Sequence, residues 1–135
     1  MKKLTYLSLA VALVATAACQ TAKDEFLSSG AVKHSKDELM ADTSGYTWQW
    51  RNGKGAGYYA PDGTYVYTSS DGNGQGSWNI TDDGTLCLQV KEWFGAKNHC
   101  NWEVYVKDGK RYSYDIKKAK MNPADYDRRS KGNTL

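Results

Sequence analysis

Five turn dipeptides divide the middle of the chain into short segments rich in aromatic and β-branched residues, and no other feature constrains the fold as strongly. They are Asn52-Gly53, Asp62-Gly63, Asp71-Gly72, Asp83-Gly84 and Asp108-Gly109. Each supplies a glycine where a tight hairpin turn requires a positive φ angle. Short connections of this kind join antiparallel neighbours, so the sequence predicts an all-β meander.

Seven segments between and beside these turns are predicted to be strands. They are Tyr46–Trp50, Gly57–Ala60, Thr64–Ser69, Gly76–Thr81, Thr85–Glu92, His99–Lys107 and Lys110–Ile116. A small antiparallel meander of about seven strands can close into a barrel or fold as a sandwich, and both remain open. Before the strands, Ser35 and Glu38 fit a capping box, which predicts one short helix ending by Gly45.

Alternation along a strand indicates which side chains face the core. In the predicted strand that begins at residue 99, Cys100, Trp102, Val104 and Val106 are expected to share the inward face. Asn101, Glu103 and Tyr105 are then expected to face outward. This strand is therefore predicted to have one buried face and one solvated face.

The chain has three cysteines, and the last two are expected to form a disulfide between strands. A bond between Cys87 and Cys100 would close a loop of about 14 residues, for which loop entropy gives about 3 kcal/mol of stabilisation. The run Leu86-Cys87-Leu88 conflicts with simple alternation, because Cys87 must point toward Cys100 while both leucines take the opposite face. A bulge, or a strand buried on both sides, would resolve the conflict.

Residues 1–18 have the pattern of an export signal. Lys2 and Lys3 precede an apolar run from Leu4 to Val14, and the small residues at 15–18 are suited to cleavage. A membrane-spanning anchor would need about 20 apolar residues, which is more than this run supplies. The chain is therefore predicted to be exported.

Cys19 directly follows Thr16-Ala17-Ala18, which resembles the lipobox of bacterial lipoproteins, although Thr16 stands where leucine is usual. Acylation of Cys19 would also account for the third cysteine. Gln20 is not the aspartate that signals inner-membrane retention, so the resemblance implies a lipid anchor on the periplasmic face of the outer membrane. Cleavage before Ala18, which would release a soluble periplasmic protein, remains the alternative.

The chain is predicted to have four parts: a signal peptide (1–18), a lipidated N-terminus and tether (19–34), a β domain with its leading helix (35–116) and a polar tail (117–135). The tail carries few apolar residues, and we expect it to be loosely held or to form a short helix. No sequence pattern indicates the oligomeric state of the protein.

Ordered short motifs resemble those of exported bacterial proteins in domain-of-unknown-function family 995, over about Leu39 to Ile116. The motifs are Thr47-Trp48-Gln49-Trp50, Gly55–Gly63, Gly76-Ser77-Trp78, Asp83–Cys87, Trp93 and Cys100. Family members often carry phenylalanine after the second cysteine, where this chain has Asn101. The resemblance implies the architecture and export, and it transfers no catalytic residue.

Charge and motifs argue against several classes of function. Without Lys2 and Lys3, 16 of the 18 basic residues remain against 15 acidic ones, a balance that does not suit a nucleic-acid surface. The sequence has no nucleophile elbow, and its two histidines, His34 and His99, lack metal-ligand spacing. No cofactor is predicted.

Two weaker patterns concern acidic residues. Asp71, Asn73, Gln75 and Asp82 have the spacing of an EF-hand-like calcium loop, but strand-like flanks and Trp78 inside the segment favour a Gly-rich turn followed by a strand. A glycosidase would need two facing carboxylates. The candidates are Asp62, Asp82, Asp83, Glu92 and Glu103, most of which lie in turns where aspartate is common for backbone reasons.

Polar-tipped aromatic residues are the most suggestive feature, since the chain has five Trp and ten Tyr but only two Phe. The candidate ligand-binding residues are Tyr58, Tyr59, Tyr65, Tyr67, Trp93 and Tyr105. They predict a non-enzymatic domain that binds an envelope glycan or another envelope component, or a partner protein, through a Tyr/Trp-lined face. The alternatives are an envelope-polymer hydrolase with paired carboxylates and a purely structural envelope protein.

Overall fold

A computed structural model describes residues 22–95 and 97–135. The predicted export signal and the predicted lipidation site at Cys19 lie outside these residues. Within the two ranges, no helix has the length and apolar character needed to cross a lipid bilayer.

Ten strands form one antiparallel sheet within the described ranges. They are β1 (Val32–Lys33), β2 (Tyr46–Gln49), β3 (Gly55–Tyr59), β4 (Thr64–Ser69), β5 (Gly72–Ile80), β6 (Thr85–Gln89), β7 (His99–Lys107), β8 (Lys110–Asp115), β9 (Lys120–Pro123) and β10 (Arg129–Lys131). The strand order is β10-β2-β3-β4-β5-β6-β7-β8-β9, and β1 pairs with β7. The sheet curls into a half-barrel. The predicted all-β antiparallel meander is confirmed, and β2–β8 correspond to its seven predicted strands. The predicted strand Thr85–Glu92 is shorter than expected, because Lys91 and Glu92 are helical.

The same part of the chain contains three short α-helices, α1 (Ala22–Ser28), α2 (Lys36–Thr43) and α3 (Lys91–Phe94), and a 3₁₀ turn at Tyr126–Arg128. Helix α2 is the predicted one. Its capping box is confirmed, because the Ser35 side chain accepts from the Glu38 backbone N–H and the Glu38 carboxylate accepts from the Ser35 N–H. Leu39 of α2 is fully buried in the main core.

The half-barrel has two ends, which we call the base and the mouth. The turns after β3, β5 and β7 lie at the base, and α2 packs there against β2 and β5. The turns after β2, β4 and β8 lie at the mouth together with α3. All five predicted turn glycines have positive φ, as in Gly84 at 83°.

Cys87 and Cys100 are opposite each other on β6 and β7, with their Sγ atoms 2.08 Å apart. Leu86 pairs with Trp102 while Cys87 pairs with Cys100, so Asn101 is an additional residue on β7. This irregularity is a bulge, one of the two solutions that the alternation conflict left open. It places Cys100 on the same face as Cys87 and opposite to Trp102, which corrects the expectation that Cys100 and Trp102 share a face. It allows Cys87 to meet Cys100 while Leu88 remains in the core.

The convex face of β7 is buried, which corrects the expectation that Asn101, Glu103 and Tyr105 face solvent. These residues are only 5%, 5% and 0% exposed. The physical reason is that residues 22–33, expected to be part of a tether, form α1 and β1 and cover this face. Phe26 of α1 packs edge-on against Tyr112 of β8 at 4.7 Å between ring centres.

The tail also differs from its expectation, because residues 117–135 supply β9, the 3₁₀ turn and β10. Strand β10 pairs with β2, with Arg129 opposite Trp48. Farther along, the Thr134 N–H donates to Thr47 Oγ1 at 3.1 Å. Backbone pairing with the edges of β2 and β8 holds this polar segment without many apolar anchors.

Candidate functional site

The concave side of the half-barrel contains a cavity of about 610 Å³. It extends from Thr43 at the base to Arg51, Trp93 and Lys118 at the mouth. A volume of this size is typical of sites for small molecules.

One wall of the cavity is aromatic and aliphatic. Its aromatic members are Trp48, Trp50, Tyr59, Tyr65, Trp93, Phe94 and Trp102. Leu86, Leu88 and Val104 complete the apolar surface from β6 and β7. This wall can bury the apolar part of a ligand.

Glycines in the neighbouring strands make room for the rings of this wall. A Cβ at Gly57 would overlap the phenol of Tyr65, and a Cβ at Gly74 would overlap the ring of Tyr67. Each ring therefore lies against bare backbone of the next strand. The Gly-rich character of β3 and β5 is thus explained by the packing of tyrosines on β4.

Trp93 lies at the mouth, where it is 38% exposed. Its ring centre is 4.3 Å from that of Tyr67 and 5.4 Å from that of Trp50. Next to it, Phe94 stacks on His99 at 4.1 Å. Helix α3 therefore adds an aromatic rim that is in contact with both the cavity wall and solvent.

The opposite wall is polar and largely cationic. Arg111, Ser113 and Asp115 line the cavity from β8, and Lys120 and Asn122 line it from β9. The cations that line the cavity in the described part of the chain are Arg51, Arg111, Lys118, Lys120 and Arg128, against one carboxylate, Asp115. The cavity therefore favours a negatively charged ligand group.

Arg111 is held by several contacts near the base. Its Nε donates to Asp42 Oδ2 at 3.2 Å, its Nη1 donates to the Ala124 carbonyl at 3.2 Å, and its guanidinium carbon lies 4.2 Å from the Trp48 ring centre. Burial lowers the pKa of Arg111, and the nearby Asp42 carboxylate opposes this effect. Asp42 also contacts His34 Nε2 at 2.9 Å and the Tyr126 hydroxyl at 3.1 Å. Arg111 is thus already paired within the protein.

Lys118 and Lys120 are more available to a ligand. Both are exposed, and neither side chain has a hydrogen bond or ion pair with a described residue. Burial would raise the pKa of Asp115, but hydrogen bonds from the Lys118 backbone N–H and the Asn101 amide outweigh it and lower that pKa. Asp115 is therefore an internal acceptor, and among the cations that line the cavity the two lysines are the most available to bind an anion.

The predicted ligand-binding aromatics separate into two groups. Tyr59, Tyr65 and Trp93 line the cavity, and Tyr67 packs against Trp93. Burial raises the pKa of Tyr65 to about 12 and that of Tyr59 well above its ordinary value, so both phenols are neutral.

The structure does not bring the other two candidates to the cavity. Tyr105 is fully buried on the convex side, where its hydroxyl donates to Glu103 at 2.7 Å. Tyr58 follows Gly57 on β3 and, by alternation, takes the face opposite to Tyr59.

Sequence reasoning missed the cationic wall, because Lys118, Lys120, Asn122 and Arg128 all belong to the predicted polar tail. The cluster Lys117-Lys118-Ala119-Lys120 was a usable signal. The contacts of Arg51 and Arg128 were not readable from the sequence. Arg51 donates to Asn122, and Arg128 donates to the Trp50 carbonyl at 3.3 Å, so both join segments that are distant in the chain.

The calcium-like spacing does not form a loop. Asn73 and Gln75 lie on strand β5, with Asp71 just before it and Asp82 beyond its far end. Asp82 instead pairs with Lys36 at 3.0 Å. Within the described residues, no three His, Cys, Asp or Glu side chains are grouped closely enough to hold a metal ion.

The candidate hydrolase carboxylates do not converge on the cavity. Asp62, Asp82 and Asp83 lie in turns at the base, and Glu92 is exposed on α3. Glu103 lies on the convex side, 3.1 Å from Lys23 and 3.0 Å from Lys33.

Comparison with known proteins gives a family but no function. Neither the curated proteins nor the solved structures include a match to this chain. A family model described as "Protein of unknown function (DUF995)" matches residues 8–120. This range covers most of the 135-residue chain, including β1–β8 and all three helices. The chain therefore belongs to the DUF995 family of proteins of unknown function.

Proposed function

We propose that this protein is a non-enzymatic binding module of the cell envelope that holds a small amphipathic anion in its cavity. One observation carries the proposal: an aromatic wall and a cationic wall face each other across a cavity of about 610 Å³. The ligand would have an apolar body and a negative group. The predicted export signal and the lipobox-like sequence at Cys19 support an anchored location on the periplasmic face of the outer membrane, and cleavage before Ala18 would give a soluble periplasmic form.

The two walls would make different contributions to binding. Burying apolar ligand surface against Trp50, Tyr59 and Trp93 contributes about 25 cal/mol per Å². The negative group would lie near Lys118 and Lys120, where it keeps partial hydration and avoids the desolvation that a deeper position requires. The ligand would therefore enter with its apolar end toward the base.

A hydrolase is less well supported. Such an enzyme would use two carboxylates on either side of the scissile bond. In the described part of the chain, Asp115 is the carboxylate that lines the cavity, and it accepts hydrogen bonds from the Asn101 amide and the Lys118 backbone N–H.

A purely structural role would not require a concave aromatic surface open to solvent. A binding module uses both the concavity and the charge.

Tryptophan fluorescence of the full chain provides the test, because Trp48, Trp50, Trp93 and Trp102 line the cavity. We expect dodecanoate to shift the emission in a saturable titration. Dodecyltrimethylammonium, which has the same alkyl chain and the opposite charge, should bind at least about tenfold more weakly, since a tenfold change needs only about 1.4 kcal/mol. N-acetylmuramic acid tests whether an acidic sugar supplies the same chemistry.

Two double variants with the same change in charge, one at the mouth and one at the base, test whether the ligand binds near Lys118 and Lys120. Lys118→Ala/Lys120→Ala should weaken dodecanoate binding, whereas Lys110→Ala/Lys131→Ala removes the same charge at the base and should leave it unchanged. Equal binding of both alkyl probes, or no titratable shift with either anion, would exclude the proposed function.

A further inference from the structure

We propose that the mouth of the half-barrel is a docking face for an anionic membrane surface. The mouth face consists of α3, the turn at 116–119 and the turn at 51–54. The inference concerns the outer surface of the protein and does not depend on what the cavity holds.

Exposed apolar side chains lie on this face. Trp93 is 38% exposed and Ile116 is 40% exposed. Trp93 and Ile116 belong to neighbouring segments. The Ile116 N–H donates to the carbonyl of Asn101 on β7 at 2.9 Å. Phe94, which follows Trp93, stacks on His99, two residues before Asn101 in the same strand. Tryptophan is enriched at the membrane–water interface, where its ring can be apolar on one side and hydrated on the other.

Cations surround these apolar residues. Exposed basic residues at the mouth include Arg51, Lys91, Lys97, Lys117, Lys118 and Lys120. Exposed acidic residues at the base are Asp37, Glu38, Asp62, Asp82, Asp83 and Asp108. The mouth also carries the exposed acidic residues Asp71 and Glu92, and the base carries the exposed lysines Lys110 and Lys131. Counting these residues too, the mouth has a net positive charge and the base has a net negative charge. A positively charged face with apolar tips is complementary to a negatively charged lipid surface.

The energy scale is sufficient for reversible docking. Each lysine or arginine close to an anionic bilayer contributes about 1 kcal/mol, and this contribution decreases with salt. Insertion of Trp93 and Ile116 side chains adds apolar burial. Since the base carries the opposite charge, the same field orients the molecule with its mouth toward the lipid.

The direction of α1 is consistent with this orientation. Lys23 lies near the start of α1, and its Nζ is 3.1 Å from Glu103 Oε1 and over the ring of Tyr114. On β8, Tyr114 is nearer to the mouth than Tyr112 is. Phe26 packs on Tyr112, closer to the base. The chain thus enters α1 from the mouth half. Cys19 is three residues before Ala22, a reach of at most about 11 Å, so an acyl chain on Cys19 would draw the mouth toward the same bilayer.

Vesicle co-sedimentation of residues 19–135, without the predicted export signal, tests the proposal. Every protein carries Cys19→Ser, which removes any acyl group at that position, and the vesicles contain phosphatidylcholine with or without phosphatidylglycerol. We expect co-sedimentation with the anionic vesicles alone, and its loss as salt is raised. Lys91→Glu/Lys117→Glu should reduce binding at least about tenfold. Neither residue lines the cavity, so this result is separate from ligand binding.

Lys110→Glu/Lys131→Glu is the control, since both residues are exposed at the base and the net charge change is identical. It should bind like the parent, and Ile116→Ser should bind more weakly than the parent. Circular dichroism spectra and melting curves identify any variant that fails to fold. Equal losses for the two lysine pairs, equal binding to neutral vesicles or no binding by the folded parent would each overturn the proposal.

Discussion

Arg111 Nε donates to Asp42 Oδ2 at 3.2 Å, and this contact joins strand β8 to the helix that closes the base of the half-barrel. The two side chains are 7% and 14% exposed. They are 69 residues apart in the chain. The cavity therefore has a fixed base because a helix that precedes the meander is paired with one of its last strands.

Asp42→Ala is expected to destabilise the protein by about 3 kcal/mol, because it leaves the buried Arg111 charge without its carboxylate. It also removes the acceptor for His34 and for the Tyr126 hydroxyl. Urea unfolding followed by tryptophan fluorescence measures the change. Asp37→Ala, on the exposed side of the same helix, is the control and should have less than about 1 kcal/mol of effect. A loss from Asp42→Ala no larger than that of the control would contradict the buried pairing.

Glu103→Gln is expected to lower stability in a pH-dependent way. Burial alone would raise the pKa of Glu103, but hydrogen bonds from Tyr105, Lys33 and Lys23 outweigh it and hold the pKa below its ordinary value of 4.5. Glu103 thus stabilises the fold above pH 4.5, and this contribution is lost as the pH falls through the lower folded-state pKa. We expect a loss of about 1–3 kcal/mol at neutral pH.

Urea unfolding across a pH series measures the difference between wild type and Glu103→Gln. The difference should shrink as the pH falls below 4.5. Glu92→Gln, at an exposed site on α3, should stay close to wild type throughout. A Glu103→Gln effect that is constant with pH would show that lost packing, rather than the carboxylate charge, causes the destabilisation.

Gly57→Ala is expected to destabilise by about 1–3 kcal/mol, because the new Cβ would overlap the Tyr65 ring. Tyr65→Leu removes that ring and leaves a cavity, which is destabilising in its own right. In the double variant the overlap is gone, so the combined loss should be smaller than the sum of the two single losses. Thermal unfolding of the four proteins measures this coupling, and strict additivity would show that Gly57 is not required by Tyr65.

Much of the fold was predictable from local chemistry. The glycines at the turns, the capping box of Ser35 and Glu38 and the alternation in β2–β8 are local signals, and they predicted the meander and its leading helix. A departure from simple alternation beside Cys87 was predictable, because the disulfide and the alternation could not both be satisfied, and the bulge is one of the two solutions left open. In each case the constraint lies within a few residues of the element that it determines.

The errors came from segments whose structure depends on distant partners. Strand β1 has two residues and no alternation of its own, and it forms because β7 offers an unpaired edge. Strand β10 is polar and depends on β2. Since α1 and β1 were not anticipated, Glu103 and Tyr105 were expected in solvent. The cationic wall of the cavity was missed for the same reason, because β9 supplies Lys120 and Asn122.

Replacing both half-cystines, Cys87→Ala/Cys100→Ala, is expected to destabilise the protein by about 3 kcal/mol. The two residues are 13 apart in sequence, and the bond restricts the unfolded chain to conformations in which they are adjacent. Cys87 is fully buried, so alanine is a better replacement than serine, whose hydroxyl would need a partner there. Urea unfolding of wild type with and without reductant provides the comparison, and reduced wild type should match the double variant. If the double variant and oxidised wild type unfold at the same urea concentration, the bond contributes nothing to the stability of the half-barrel.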